Sequence, residues 1–142
     1  MKTTKILVQK PEIRLSEDNK AKLQSLEMYK DKKHFQFSNG WVNLAYELGK
    51  NIEEVCKLAN CEFPKIEAMY NKYNSLRVDY HFVSSVPQIV ETLIDSLIYV
   101  TEDKSMMICE YCGANNEIET TEKNNHYINA CEKCFNRKEV KK

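Results

Sequence analysis

Glycine and proline are scarce in this sequence, with three of each among 142 residues, and tryptophan occurs once. Both scarce residue types mark tight turns and loops, so their low number favours long helices over a strand-rich fold. Hydrophobic residues make up 42% of the chain, which is enough for a folded core. The length fits one domain, or one small domain with an added module. We therefore predict a mainly α protein.

Long apolar runs are also missing from the sequence. A membrane-spanning helix needs about eighteen or more consecutive apolar residues, and no such window exists. The apolar run near the N-terminus, within the strand predicted for residues 5–9, is too short for a secretory signal. We therefore expect no membrane association and a cytoplasmic location, where thiols stay reduced.

The sequence lacks the usual signatures of catalysis. It contains no G-x-S-x-G, no P-loop and no dinucleotide-binding glycine pattern. The three histidines, His34, His81 and His126, show no spacing with carboxylates that acid–base chemistry would need. We therefore predict that the protein is not an enzyme.

An excess of one charge is lacking as well, because 21 basic residues balance 21 acidic ones. Nucleic-acid affinity comes largely from phosphate neutralisation by lysine and arginine. Residues 36–108 carry six basic and ten acidic residues. The neutral overall charge and this acidic middle segment favour a protein-binding role as the alternative to nucleic-acid binding.

Two C-x-x-C pairs, Cys109/Cys112 and Cys131/Cys134, stand eighteen residues apart near the C-terminus. A tight turn lets two such thiolates grip one tetrahedral ion, and a second turn closes the shell. Gly113 supplies the permissive backbone that such a turn needs. We predict one structural Zn²⁺ held by these four cysteines. Two disulfides are the alternative, which a reducing compartment disfavours.

The segment between the pairs predicts a hairpin, with strands at 117–121 and 126–129 joined by a turn at 122–125. Good helix formers follow Cys134. Turn, hairpin and helix in this order are the arrangement of a treble-clef zinc finger. The Cys-x-x-Cys-Gly motif, the spacer and the sequence Asn129-Ala-Cys-x-x-Cys134 resemble GATA-type fingers. The same outline is similar to the zinc modules of bacterial DksA/TraR-like proteins. The tryptophan and basic run of the GATA-type spacer are absent here, so the resemblance implies fold more than function.

Residues 41–60 have the pattern of a helix-turn-helix. Gly49 would make the turn, Ala45 would allow close packing, and Val55 and Leu58 would face the core. The segment resembles DNA-binding helix-turn-helix families. An ordinary helical hairpin is the alternative.

The exposed face of the second helix of that motif would show Asn51, Glu53, Lys57 and Asn60. Asparagine and lysine suit contacts with bases and phosphates, and a small basic cluster lies in the C-terminal tail. The predicted nucleic-acid contacts are Asn51, Lys57, Asn60, Arg137 and Lys138.

The remaining elements are predicted from caps and periodicity. Ser16 caps a helix from 17 to about 31, and Pro64 opens a helix with an apolar stripe at Ile66, Met69, Tyr70 and Tyr73. These tyrosines, with Tyr80, suit core packing or stacking on single-stranded bases. Residues 79–83 are predicted to be extended.

The most hydrophobic helix is predicted to start with a capping box at 85–88 and to run to about residue 100. Its apolar residues cover more than half of its circumference, which predicts burial on most sides. A dimerisation helix is the alternative. Cys56 and Cys61 are predicted to pack in the core, with a second metal site involving His34 or His81 as the alternative.

Together these patterns predict a helical domain at 1–104, with a helix-turn-helix-like segment, and a four-cysteine zinc module at 105–142. The predicted function is a nucleic-acid-binding transcriptional regulator of bacterial or phage type, with DNA or RNA as partner. The alternative is a protein-binding adaptor or inhibitor that docks on RNA polymerase or another nucleic-acid-processing machine. A homodimer through residues 86–100 is a further partner prediction.

Overall fold

The computed structural model describes residues 15–115, 118–123, 126–131 and 134. In chain order these residues form α1 (Glu17–Gln24), α2 (Val42–Ala59), β1 (Lys65–Lys72), β2 (Ser75–His81), α3 (Gln88–Ser105), β3 (Ile118–Lys123) and β4 (His126–Cys131). Short 3₁₀ turns occur at Glu27–Tyr29 and Asn39–Trp41. The mainly α prediction is confirmed in part, because helices dominate but two antiparallel hairpins accompany them.

Helix α1 begins at the predicted cap but is shorter than predicted. The Ser16 hydroxyl accepts a hydrogen bond from the Asn19 amide at 3.2 Å, which satisfies one free donor of the first turn. The helix ends at Gln24, and Leu26 adopts an extended backbone before the 3₁₀ turn. This break lets Leu23, Leu26 and Tyr29 all enter the core.

The helix-turn-helix prediction is wrong, because residues Val42–Ala59 form one continuous helix. Gly49 lies in its middle and serves close packing, not a turn. A Cβ at this position would lie 2.7 Å from both Leu26 Cδ1 and Tyr29 Cε2. The helix ends instead at Asn60, whose left-handed backbone (φ 57°) closes the C-terminus. Glu53, predicted to be exposed, is buried and accepts a hydrogen bond from the Met28 amide at 2.9 Å.

The helix predicted after Pro64 is also wrong, because this segment forms the antiparallel hairpin β1–β2. Tyr73 and Asn74 both have positive φ (54° and 71°) and make the two-residue turn that hairpins favour. The Asn71 side chain accepts a hydrogen bond from the Asn74 amide and supports this turn. A register shift between Ile66 and Ala68 changes which residues face the core. As a result, the apolar residues of this strand have a spacing that also fits a helix, which explains the wrong prediction. The predicted extended piece at 79–83 falls partly on β2.

Helix α3 runs five residues beyond its predicted end, to Ser105. Its N-cap is Pro87, and no side chain caps it, so the predicted capping box is wrong. One side of the helix packs on α2 and β2, burying Val90, Ile94 and Ile98. The prediction of burial on most sides is wrong, because several apolar residues on the other side are exposed.

One hydrophobic core joins α1, α2, α3 and the β1–β2 hairpin, which we call the body. It contains Leu23, Leu26, Tyr29, Phe35, Phe37, Trp41, Ala45, Leu48, Ile52, Cys56, Met69, Leu76, Val78, Val90, Ile94 and Ile98. The C-terminal hairpin β3–β4 confirms the predicted pair of strands. The predicted strand at 5–9 and the helix after Cys134 lie outside the described residues. None of the helices in the described ranges is long and apolar enough to cross a membrane.

Candidate metal centre and its contacts

The four predicted ligands come together in space. The sulfur atoms of Cys109, Cys112, Cys131 and Cys134 all lie within 4.8 Å of one another. Sulfurs bound to one Zn²⁺ at about 2.3 Å stand about 3.8 Å apart in a tetrahedron, and Cys112 Sγ lies 3.6 Å from Cys131 Sγ. Cys112 is exposed, whereas the other three cysteines are buried. The arrangement therefore fits a single tetrahedral metal ion.

A tight turn after α3 positions the first two cysteines. The Gly113 amide donates to the Cys109 carbonyl at 2.9 Å, and the Cys109 amide donates to the Ala114 carbonyl at 2.7 Å. Gly113 has a φ of 85°, the left-handed conformation that glycine adopts without strain. The Tyr111 amide lies 3.4 Å from Cys109 Sγ and donates to it. We call residues 109–113 the knuckle. The end of β4 brings Cys131 against it.

The thiols of the cluster differ in acidity. Burial raises the pKa of the Cys131 thiol, but hydrogen bonds from the Cys134 backbone and the neighbouring thiols outweigh it and lower the pKa to about 7. Burial raises the pKa of the Cys112 thiol. The thiolate is the form that binds metal, so binding must displace protons from these groups. Metal binding at this cluster should therefore weaken at acidic pH.

Glu110 fastens the knuckle to the body, a role that the sequence did not reveal. Its side chain is 1% exposed although it lies between two clustered cysteines. The carboxylate accepts hydrogen bonds from the Ser38 amide at 3.2 Å and from Asn71 Nδ2 at 2.8 Å. Asn71 belongs to β1, so this one carboxylate links the knuckle to both a loop and a strand of the body.

Gly40 and Trp41 complete this contact. The Gly40 amide donates to the Glu110 carbonyl at 2.7 Å. A Cβ on Gly40 would lie 2.1 Å from the Cys109 carbonyl oxygen, so only glycine allows this approach. The buried Trp41 indole donates through Nε1 to the Ile108 carbonyl at 3.0 Å. The motif Gly40-Trp41 was a weak signal for a close backbone contact, but its partner lies far along the chain.

The predicted nucleic-acid contacts do not converge with the metal cluster. Asn51, Lys57 and Asn60 are exposed on α2 or at its end, where Glu47 and Glu54 are exposed as well. The tail residues Arg137 and Lys138 lie outside the described residues. Asn60 already has a structural role as the left-handed helix cap. The function predicted for these five positions stays a prediction.

The tyrosines and the remaining cysteines have structural surroundings. Tyr70 donates a hydrogen bond to Asp79, and Tyr80 donates to Asp95 at 2.6 Å. Cys56 is buried in the core, as predicted, and Cys61 packs partly buried against it. Among the residues that the structure describes, the four-cysteine cluster is the group with metal-binding geometry. The alternative metal site with His34 or His81 gains no support from this part of the chain.

The outward side of α3 is a second feature, and it differs from the burial on most sides that the sequence predicted for this helix. Ile89, Leu93, Tyr99 and Val100 are 63%, 46%, 70% and 48% exposed. We call these four residues the α3 stripe. Ile89, Leu93 and Val100 share one face of the helix, since they are spaced by four and seven residues. The apolar content of this helix signalled burial, and only packing showed which side remains open.

No protein-family model, no curated protein and no solved structure matches this chain.

Proposed function

We propose that this protein is a protein-binding adaptor whose fold is held together by one structural Zn²⁺. The main support for the proposal is the α3 stripe, which consists of four solvent-exposed apolar residues on one helix. Contiguous exposed apolar surface on a folded protein is typical of interaction sites. The adaptor was the alternative at the level of sequence, and the surface of α3 favours it.

The chemistry of the cysteine cluster supports Zn²⁺ as the ion. Four thiolates in tetrahedral geometry suit Zn²⁺ or an iron–sulfur centre. The C-x-x-C pairs with a hairpin between them are typical of structural zinc modules. With four protein ligands the coordination shell is full, so the ion would have no open position to activate water. Its role in the proposal is to hold the knuckle and β4 together.

Helix α2 gives little support to nucleic acid as the main partner. Helix α2 is continuous, so it lacks the separate second helix on which the prediction of DNA binding was based. Its exposed lysines, Lys50 and Lys57, are balanced by Glu47 and Glu54, so the helix has no basic excess that would attract phosphates. The exposed apolar and aromatic side chains of helix α3 suit a protein partner better than a phosphate backbone.

The proposal is tested with the full-length, zinc-loaded chain and two variants. Leu93→Gln removes an apolar side chain from the α3 stripe without adding charge. Tyr73→Asn is the control, because Tyr73 is an exposed tyrosine (59%) in the β1–β2 turn and asparagine tolerates its positive φ. Proteins captured from extracts of the source cell are purified and titrated by calorimetry. We expect Leu93→Gln to weaken binding about tenfold or more and the control to leave it unchanged.

Nucleic-acid binding is measured in parallel by fluorescence anisotropy with mixed duplex DNA and single-stranded RNA at low and physiological salt. Micromolar binding that falls steeply with salt, and that Lys57→Ala or Arg137→Ala weakens, would replace the adaptor with the nucleic-acid-binding regulator. A captured partner that binds Leu93→Gln as tightly as the wild type would refute docking on α3.

A further inference from the structure

Asn39 and Gly40 form the only Asn-Gly pair of the sequence, and Gly40 contacts the knuckle. The backbone nitrogen of a residue can attack the side-chain amide of a preceding asparagine, because the two atoms can close a five-membered ring. Glycine hinders this attack least, since it has no Cβ and its backbone is the most permissive. This pair is therefore the position at which the sequence most favours such a reaction.

The contact with the knuckle explains why glycine occupies position 40. A Cβ on Gly40 would lie 2.1 Å from the Cys109 carbonyl oxygen and 2.5 Å from the Glu110 carbonyl carbon. A larger residue would have to displace one of these backbones. The close contact that docks the knuckle thus places the most reactive neighbour directly after Asn39.

In the docked structure both reacting groups are engaged in hydrogen bonds. The Gly40 amide, which would be the nucleophile, donates to the Glu110 carbonyl at 2.7 Å. Asn39 Oδ1 accepts hydrogen bonds from the Ser16 amide at 2.9 Å and from Asn19 Nδ2 at 3.0 Å. A short 3₁₀ turn contains both residues of the pair and fixes the backbone between them. Attack needs a free Gly40 nitrogen and a rotated Asn39 side chain, so these bonds must first break.

We propose that Asn39 is a site of spontaneous modification, which docking of the knuckle suppresses and release of the knuckle allows. In the released state the Gly40 nitrogen forms a bond to Asn39 Cγ, and the bond between Cγ and Nδ2 breaks. Nδ2 takes up the proton of the Gly40 amide and leaves as ammonia. The five-membered imide then takes up one water molecule and opens to aspartate or isoaspartate at position 39. Water is the only co-reactant.

The two products differ in their effect on the contact with the knuckle. Aspartate keeps an oxygen that can accept from the Ser16 amide and from Asn19 Nδ2. Isoaspartate carries the chain through its side-chain carbon atoms, which lengthens the backbone before Gly40 and displaces the Gly40 amide from Glu110. Chains with isoaspartate cannot form this contact in its present geometry. The modification therefore makes release of the knuckle irreversible, and it does so independently of the α3 stripe and of the proposed adaptor role.

The test follows Asn39 by peptide mapping while the full chain is incubated at neutral pH. Trypsin cleaves after Lys33 and Lys50, so one fragment carries Asn39 together with Asn43. Asn43 is an internal reference, because the leucine that follows it hinders the same attack. Chromatography and mass spectrometry separate the asparagine, aspartate and isoaspartate forms. A synthetic peptide of residues 34–50 gives the rate without a folded structure.

The samples are the zinc-loaded wild type, the same chain with a chelator, Glu110→Gln and Glu54→Gln. Glu110→Gln loosens the knuckle, because it removes an acceptor of the Ser38 amide or of Asn71 Nδ2. Glu54→Gln is the matched control, since Glu54 is exposed on α2. Circular dichroism and urea denaturation measure the folded fraction of each sample under the conditions of incubation.

We expect Asn39 of the zinc-loaded wild type to react at least about tenfold more slowly than the peptide, because a group that reacts only after local opening is slowed by the rarity of the open state. The chelated chain and Glu110→Gln should react at least about threefold faster than the loaded wild type while the body stays folded. Glu54→Gln should react like the wild type.

The inference fails if the loaded wild type reacts as fast as the peptide, since docking would then give no protection. Equal rates in the wild type, the chelated chain and Glu110→Gln would show that protection does not depend on the knuckle. A rate that follows only the globally unfolded fraction would assign the protection to the whole fold and would also overturn the inference. Each of these results leaves docking on the α3 stripe unaffected, because the partner titration tests it separately.

Discussion

Glu110 lies between two clustered cysteines in the chain, yet its carboxylate makes hydrogen bonds with Ser38 and Asn71 of the body. A buried carboxylate is costly unless its oxygen atoms are hydrogen-bonded. The nearby Glu110 carbonyl accepts a further bond from Gly40. One residue therefore fixes the position of the knuckle through both its side chain and its backbone.

Replacing Glu110 by glutamine tests this role. Glu110→Gln keeps the size of the side chain but replaces one accepting oxygen by an NH₂ group. This group would face another hydrogen-bond donor, either Ser38 N or Asn71 Nδ2, so one hydrogen bond would be lost. We expect a loss of about 1–3 kcal/mol in the free energy of unfolding, measured by urea denaturation. Glu54→Gln is the control, because Glu54 is exposed on α2. Equal stabilities of the two variants would show that the Glu110 contacts contribute little.

Gly49 of helix α2 belongs to a sequence pattern that two different structures share. A glycine four residues after an alanine, within an apolar pattern, is typical of a helix-turn-helix and also of a helix that packs closely on its neighbour. Here the backbone of Gly49 is helical, and the ring of Tyr29 lies against it. The phenol of Tyr29 donates to the Ala45 carbonyl at 2.8 Å, which holds the ring in place.

A substitution at Gly49 separates packing from helix propensity. Gly49→Ala would improve the intrinsic helix propensity by about 1 kcal/mol, but its Cβ would meet Leu26 and Tyr29 at 2.7 Å. We expect a net loss of about 1–3 kcal/mol in the free energy of unfolding, because overpacking dominates. Asn51→Ala on the exposed side is the control and should be neutral or slightly stabilising. A more stable Gly49→Ala variant would contradict the packing described here.

At the scale of the whole molecule, the metal cluster and the helical body share an interface. Trp41 is the single tryptophan of the chain, and its buried indole donates to the carbonyl of Ile108, next to Cys109. Metal binding by small zinc modules contributes about 10–16 kcal/mol to folding. The predicted division into a domain at 1–104 and a module at 105–142 stays a prediction, and this contact makes it testable.

Removal of the metal should therefore disturb the body as well as the cluster. With a chelator, or in Cys112→Ser, we expect Trp41 emission to shift to longer wavelength and the thermal transition to fall by several degrees. Cys61→Ser is the matched control, since Cys61 lies outside the cluster. Unchanged Trp41 emission in a protein shown to be metal-free would mean that the body folds independently of the knuckle.

Local chemistry made some of this structure predictable. The spacing of Cys109, Cys112, Cys131 and Cys134 predicted a four-sulfur cluster, because two residues between thiols match the geometry of a tetrahedral ion. The strands around it and the cap of α1 also follow from neighbouring residues. The cap and each C-x-x-C pair depend on residues within a few positions of one another, and the hairpin that joins the two pairs is short.

Tertiary packing decided the rest. The segment after Pro64 has apolar residues that fit either a helix or a bulged strand, and pairing with β2 selected the strand. Packing against Tyr29 made Gly49 part of a continuous helix, and packing of α3 on one side only left the stripe open. Glu110 found its partners 72 and 39 residues away. The sequence by itself predicted the four-cysteine cluster, whereas the fold decided which residues of the body contact that cluster and which apolar surface remains exposed.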